Sequence, residues 1–264
     1  MPPAKKKPRS YDPAKIRAAV TAQFGHVADA VRDLTPEQLA RPSGLGEWSV
    51  AELAAHLAWI ADSLARGLDR PPAAVPELAA VEWPFATASL AGRISEAARE
   101  TLTGAPLPEL YERASAALAE GLATNPGSRV LDLWIGDMTL ADFLVTRTVE
   151  LIVHTDDLNR AVPGLDVPLD RQALAACTRL LADALAVKAP GGSVEVRVPP
   201  FAVVQCVEGP RHTRGTPPNV VETDPLTWIR LATGRTDWAT ALDGALVRAS
   251  GERADLSALL PLMG

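Results

Sequence analysis

The sequence predicts two domains: an N-terminal all-α, up-and-down helical bundle, then a C-terminal α+β domain with a mixed or antiparallel sheet. Three observations carry this reading. Residues 12–165 repeat helix-start signals and keep apolar residues at helical spacing. Val162-Pro-Gly-Leu-Asp-Val-Pro168 then has the composition of a linker. Beyond it Ser193-Val-Glu-Val-Arg-Val198 alternates apolar and polar residues, as a half-buried strand does. The expected organisation is a solvated, disordered tail over 1–11, the bundle over 12–165 and the α+β domain over 166–264.

Each element has its own signal. Asp12 can cap a helix whose first position is Pro13, predicting a helix over 13–34. Thr35-Pro-Glu-Gln38 repeats the signature for a short helix, which Arg41-Pro-Ser-Gly-Leu-Gly46 ends. Ser49-Val-Ala-Glu52 is a further capping box and opens a helix to about Leu68, before Pro71-Pro72. Helical stretches follow over 87–103 and 107–123, the second closed by Asn125-Pro-Gly127. Thr139 opens a strong helix to Ala161, and another covers 169–187. Helices of this length with short loops pack as an antiparallel bundle. In the second half, strands are expected at 193–198, 201–207, 220–222 and 245–250. Asp224-Pro225 caps a helix carrying Trp228, and Asp255 begins a last short one.

Composition narrows the function. The chain has 264 residues, 47% of them hydrophobic, enough for a substantial core. Its 26 basic and 32 acidic residues leave a net charge of −6, which argues against a nucleic-acid partner. No apolar run approaches the roughly 18–20 residues of a membrane span, so stable membrane insertion is not expected. Met1 to Ser10 is basic without a following apolar run, unlike a secretory signal. Cys177 and Cys206 form no CxxC and no disulfide framework, which fits a reducing cytoplasm. Small molecules are the expected partners, and a monomer or weak dimer the expected state.

Of the histidines His26, His56, His154 and His212, two are placed where chemistry can occur. On the 139–161 helix, Leu140, Leu144, Leu151 and Leu158 fall within about 40° of one direction. Arg147, Glu150 and His154 fall on the same side, at about −20°, −80° and −40°. Ionisable groups on an apolar face need partners, because an unpaired buried charge is costly. Glu150 and His154 are neighbours one turn apart. His56 lies beside the apolar arc of Val50, Leu53, Leu57, Ile60 and Leu64 on its own helix. Two imidazoles and a carboxylate, with a fourth position open, are the ligand set of a catalytic zinc site. An ion-pair network is the alternative: Arg147 with Glu150, His154 with Asp157, and His56 merely part-buried.

Arg41-Pro-Ser-Gly-Leu-Gly-Glu-Trp-Ser-Val-Ala-Glu-Leu-Ala-Ala-His-Leu57 resembles the first signature of the DinB-like, mycothiol-dependent maleylpyruvate isomerase family. Arg147-Thr-Val-Glu-Leu-Ile-Val-His-Thr-Asp-Asp-Leu158 resembles its second. Glu222 to Arg235, with Gly244 and the strand to Gly251, resembles the sterol-carrier-like domain of an actinobacterial branch of such proteins. The resemblance implies a DinB-like bundle in which His56, Glu150 and His154 bind a divalent metal, usually Zn²⁺. It implies mycothiol or a similar thiol as cosubstrate, and isomerisation or thiol transfer on a small electrophilic, anionic substrate. It also implies a functional arginine in the second domain, matched to Arg235, which would bind a substrate carboxylate; an ordinary helix-end arginine is the alternative. Arg147 is read as the partner of Glu150 or of a neighbouring acid. A carrier of apolar ligands, with a tunnel between the 193–207 strands and the Trp228 helix, is the competing function. A bundle that keeps the trio as a vestige is another. Most of the tryptophans are expected in the core or between domains.

Overall fold

The computed structural model describes residues 9–87, 90–210 and 217–263. Helix α1 (Pro13–Arg32) starts where the Asp12 carboxylate accepts the Ala14 and Lys15 N–H groups. It stops two residues short of Leu34, because the turn into Pro36 cannot continue a helix. Helix α2 (Pro36–Leu39) carries the Thr35/Gln38 capping box. The turn after it is built from its own sequence. Gly44 and Gly46 take φ of +80° and +56°, where a side chain would be strained. Ser43 Oγ donates to the Trp48 carbonyl at 2.8 Å, and the Val50 N–H to the Arg41 carbonyl at 2.8 Å. This turn launches α3 (Val50–Asp69) through the Ser49/Glu52 capping box.

Helices α4 (Trp83–Ala86), α5 (Ala91–Gly104) and α6 (Leu107–Thr124) follow. A two-residue antiparallel pair, β1 (Val130–Leu131) and β2 (Met138–Thr139), leads into α7 (Leu140–Ala161), which Thr139 caps. In the bundle, α3 packs on α5, α6 and α7, while α1 packs on α6 and α7. The approach of α3 to α6 is close: a Cβ on Gly121 would stand 2.6 Å from Leu68 Cδ1. Helix α8 (Arg171–Lys188), capped by Asp170, packs on α7 and α1 and also on the sheet.

The sheet comprises β3 (Val194–Val198), β4 (Ala202–Cys206), β5 (Val220–Thr223) and β6 (Val247–Ser250). Its order is β4-β3-β5-β6. β3 pairs antiparallel with β4 and parallel with β5, and β5 pairs antiparallel with β6, so the sheet is mixed. Val194, Val196 and Val198 on β3 are buried, with Val204 and Cys206 on β4. Helices α9 (Pro225–Ala232) and α10 (Trp238–Asp243) complete the domain, capped by Asp224 and Asp237.

Several elements depart from the sequence expectations. The tail reading fails for residues 9–11: Arg9 pairs with Asp183 of α8, Nε to Oδ2 at 2.6 Å, and Tyr11 packs against the core. Helix α5 starts at Ala91 rather than 87, and residues 88–89 lie outside the described ones. The expected final helix is a single 3₁₀ turn, Ser257–Leu259, which Pro261 follows closely. Helix α10 and the β1–β2 pair were not anticipated. His212, in the expected 208–219 loop, falls outside the described residues.

Removing the α3 cap tests this local account. Ser49→Ala should lower unfolding stability by about 1 kcal/mol in urea titration, with an unchanged slope.

Candidate metal centre

Helix α7 brings Arg147, Glu150 and His154 inward because its apolar residues demand it. Leu140, Leu144, Leu151 and Leu158 are all essentially buried in the core. Helix α3 lies alongside and contributes His56, which is only 2% exposed. The turn before α3 sets Trp48 against His56, with ring centroids 5.2 Å apart, and Trp59 covers another side at 5.7 Å. Trp48 is itself fixed by donating its indole N–H to Ser95 Oγ at 3.0 Å.

Glu150 stands between the two imidazoles. Its Oε2 is 3.3 Å from His56 Nε2 and 3.4 Å from His154 Nε2. One ring nitrogen from each histidine and a Glu150 oxygen lie within 4.8 Å of one another. The two Glu150–imidazole separations match those of a shared cation, since tetrahedral ligands at ~2.0–2.1 Å stand roughly 3.3–3.4 Å apart. The donor set, two imidazoles and one carboxylate, suits zinc or a similar divalent metal.

The surroundings prepare these donors. The His154 ring donates through Nδ1 to Asp157 Oδ2 at 3.0 Å, which leaves Nε2 facing Glu150. Asp157 is in turn held by Arg235, Nη2 to Oδ2 at 2.9 Å and Nε to Oδ1 at 3.3 Å. Burial pushes the Glu150 carboxyl up, but hydrogen bonds from His154 and His56 and the nearby Arg147 charge hold it well below the usual carboxylate range. Burial lowers His56, outweighing its bond to Glu150, so the neutral ring is favoured. Burial also opposes charge on His154, yet the bonds to Asp157 and Glu150 prevail and raise it. The Asp157 carboxyl is pushed down to about 2: burial works against this, but the bond from His154, the His154 charge and Arg235 outweigh it.

Sequence reasoning placed two residues differently. Arg235, expected to meet a substrate carboxylate, meets an internal one, Asp157, and its Nη1 donates to the Thr233 carbonyl at 2.9 Å. Arg147, expected to pair with Glu150 or another acid, has no carboxylate at salt-bridge distance among the described residues. Its guanidinium hydrogen-bonds Thr146 Oγ1 and lies over the Phe143 and Trp83 rings, 4.5 and 5.5 Å from their centroids. Also unanticipated is the pair next to Asp157: Arg230 of α9 grips Asp156 of α7 with two bonds, of 2.6 and 2.8 Å. The acids sit in a visible Asp-Asp doublet, but their partners lie 74 and 78 residues away, with no local signal to join them.

A cavity of about 150 Å³ opens onto the site. Its buried end includes His56, Glu150, Arg147, Trp83 and Phe143, while Arg66, Arg70 and Trp134 line its exposed end. Trp134 is 41% exposed, unlike the core tryptophans expected from the sequence.

Fold and site together define a class: a helical bundle with a His/Glu/His trio in its interior, joined to an α+β domain. Residues 20–159 match the family model of the mycothiol maleylpyruvate isomerase N-terminal domain, and the chain belongs to that family. Residues 170–262 match the model of a bacterial SCP ortholog. Two of the solved structures that share the fold serve as comparison. One is the crystal structure of the mycothiol-dependent maleylpyruvate isomerase, 15% identical, with a TM-score of 0.61 over 93% of this chain and 95% of that one. The other is a histidine-to-alanine mutant of such an isomerase, 14% identical, with a TM-score of 0.59 and the same coverage. At these identities the likeness shows the fold alone. No curated protein matches the chain.

Because the folded Asp157 carboxyl is depressed to about 2 from an ordinary 3.8, its contribution to stability is full above about pH 4. That contribution is lost as the pH falls through 2. Denaturant titrations across this range should show a stability gap between wild type and Asp157→Asn at pH 6 that closes toward pH 2. A gap independent of pH would count against the His154–Asp157–Arg235 chain.

Proposed function

We propose that the protein is a metal-dependent enzyme that uses a small thiol, mycothiol or a close analogue, to isomerise a small electrophile or to transfer the thiol onto it. The observation that carries this reading is the convergence of His56, Glu150 and His154, two of which, His56 and Glu150, line a cavity wide enough for a small molecule. In it, His56, Glu150 and His154 hold a divalent cation, most simply Zn²⁺. When bound, such a cation supplies positive charge that stabilises an entering sulfur as thiolate, the nucleophilic form.

The protein groups define the rest. Asp157 fixes the His154 tautomer through Nδ1, and Arg235 fixes Asp157. Trp83 and Phe143 wall the buried end with apolar surface. The nucleophile must come from outside. Both cysteines are buried, and burial raises the Cys177 thiol and pushes Cys206 up to about 11, so neither is a ready thiolate. For isomerisation, sulfur adds to a conjugated double bond and its π electrons move onto the conjugated carbonyl. The former double bond rotates, the electrons return, and the C–S bond breaks. Thiol and substrate atoms are conserved, and nothing is oxidised or reduced. The carrier reading has less support: the buried residues of β3 and β4 belong to the filled core beneath α8. No helix among the described residues is long and apolar enough to cross a membrane, which accords with a cytoplasmic site of action.

Elemental analysis of protein purified from metal-replete medium should find one zinc per chain, lost in His56→Ala and His154→Ala. The zinc-loaded protein should isomerise maleylpyruvate only when thiol is added, at a kcat of about 1 s⁻¹ or faster. Full zinc with no turnover for any thiol–electrophile pair would reduce the site to a vestige. Arg235→Met should weaken zinc binding by about 10-fold through the loosened Asp157–His154 pair. Arg230→Met, which cuts the neighbouring bond, should lower stability while leaving zinc affinity unchanged. Equal effects of the two on affinity would remove the positioning role of Arg235.

A further inference from the structure

Arg147 is the ionisable group of α7 that this scheme leaves without a task. It is only 7% exposed, and among the described residues no acid pairs with it. Nε and Nη2 share one weak partner, Thr146 Oγ1, at 3.3 and 3.2 Å, and no hydrogen bond to another described residue engages Nη1. The guanidinium carbon lies 4.5 Å from the Phe143 ring centroid and 5.5 Å from that of Trp83, and these contacts hold the group in place. The residue lines the same cavity as His56 and Glu150. Glu150 acts on it through space from beyond salt-bridge distance, and a buried cation without a bonded counter-ion is expensive, a cost that an anionic ligand would offset. Every other described arginine at this level of the fold is satisfied internally: Arg230 by Asp156 and Arg235 by Asp157.

We propose that Arg147 is the anion anchor of the cavity and takes a carboxylate of the substrate, the role that the family resemblance suggested for Arg235. This rests on the metal-site reading above and deepens it. Charge bookkeeping makes the proposal specific. A dication, the Glu150 carboxylate and the Arg147 guanidinium leave two positive charges in a low-dielectric pocket. An entering thiolate cancels one, and a single carboxylate cancels the other. The preferred electrophile therefore carries a carboxylate a few bonds from the carbon that sulfur attacks. In this reading Phe143 and Trp83, packed against the guanidinium, limit its orientation, and its place in the cavity lining makes it available to that carboxylate.

The test compares crotonate with crotonamide, its uncharged isostere, by isothermal titration into zinc-loaded protein, with zinc content measured for each sample. Wild type should bind crotonate about 10-fold or more tightly over crotonamide, the scale of a charge-assisted hydrogen bond in a buried site. Arg147→Met should keep its zinc and lose that preference. Arg147→Lys, which keeps the charge without the planar fork, should retain only part of it, so the proposal stays testable if the Met variant fails to fold. Equal binding of the two probes by wild type would overturn the proposal. So would an undiminished preference in zinc-loaded Arg147→Met or Arg147→Lys. If the protein takes up no zinc but still prefers crotonate through Arg147, the metal-site reading fails and the anion anchor stands.

Discussion

The structure depends on one carboxylate. Asp157 sits buried on α7, and its Oδ2 accepts at once from His154 Nδ1 of the bundle and Arg235 Nη2 of the second domain. Remove it, and two consequences follow from the same atom. The His154 ring loses the bond that fixes its tautomer and rotation, and the Arg235 guanidinium loses its counter-ion. Asp156 and Arg230 make a parallel clasp one residue away. The Asp-Asp doublet thereby ties the end of α7 to α9 and to the loop after it. Among the described residues the second domain braces the site through Asp157 and lines none of the cavity.

The bundle itself explains why the site can be buried at all. Helix α7 carries Arg147, Glu150, His154, Asp156 and Asp157 on or near its inward side, a load that would unfold a helix whose charges had no partners. Glu150 is satisfied by two imidazoles, His154 by two carboxylates, and Asp157 by one imidazole and one guanidinium. The chain alternates acid and base, and each group steadies the charge state of the next. Arg147 stands outside this alternation. The Phe143 and Trp83 rings lie beside it, and it lines the cavity.

How much of this was legible in the sequence divides along chain distance. Caps and helix starts are local, and Asp12, Thr35, Ser49, Thr139 and Asp224 each open the helix their spacing announced. The inward side of α7 followed from helical arithmetic, because its leucines repeat at the right spacing. The parallel pairing of β3 with β5 did not, since no local pattern tells a parallel neighbour from an antiparallel one. Nor did the partners of the arginines. Spacing pairs Arg147 with Glu150, three residues on, or with a neighbouring acid, and the family resemblance gives Arg235 a substrate carboxylate, with an ordinary helix-end arginine as the alternative. In the fold the side chains point otherwise: Arg147 turns onto Phe143 and Trp83, and Arg235 reaches 78 residues back to Asp157. Local spacing gives the reach of a side chain, not its rotamer, and the rotamer is chosen by packing.

The most direct measurement of the central claim is X-ray absorption at the zinc edge of the metal-loaded protein. The account predicts light-atom ligands near 2.0–2.1 Å with multiple scattering from two imidazoles, and a sulfur contribution near 2.3 Å once a thiol is added. Scattering from fewer than two imidazoles, or a spectrum indifferent to thiol, would contradict it.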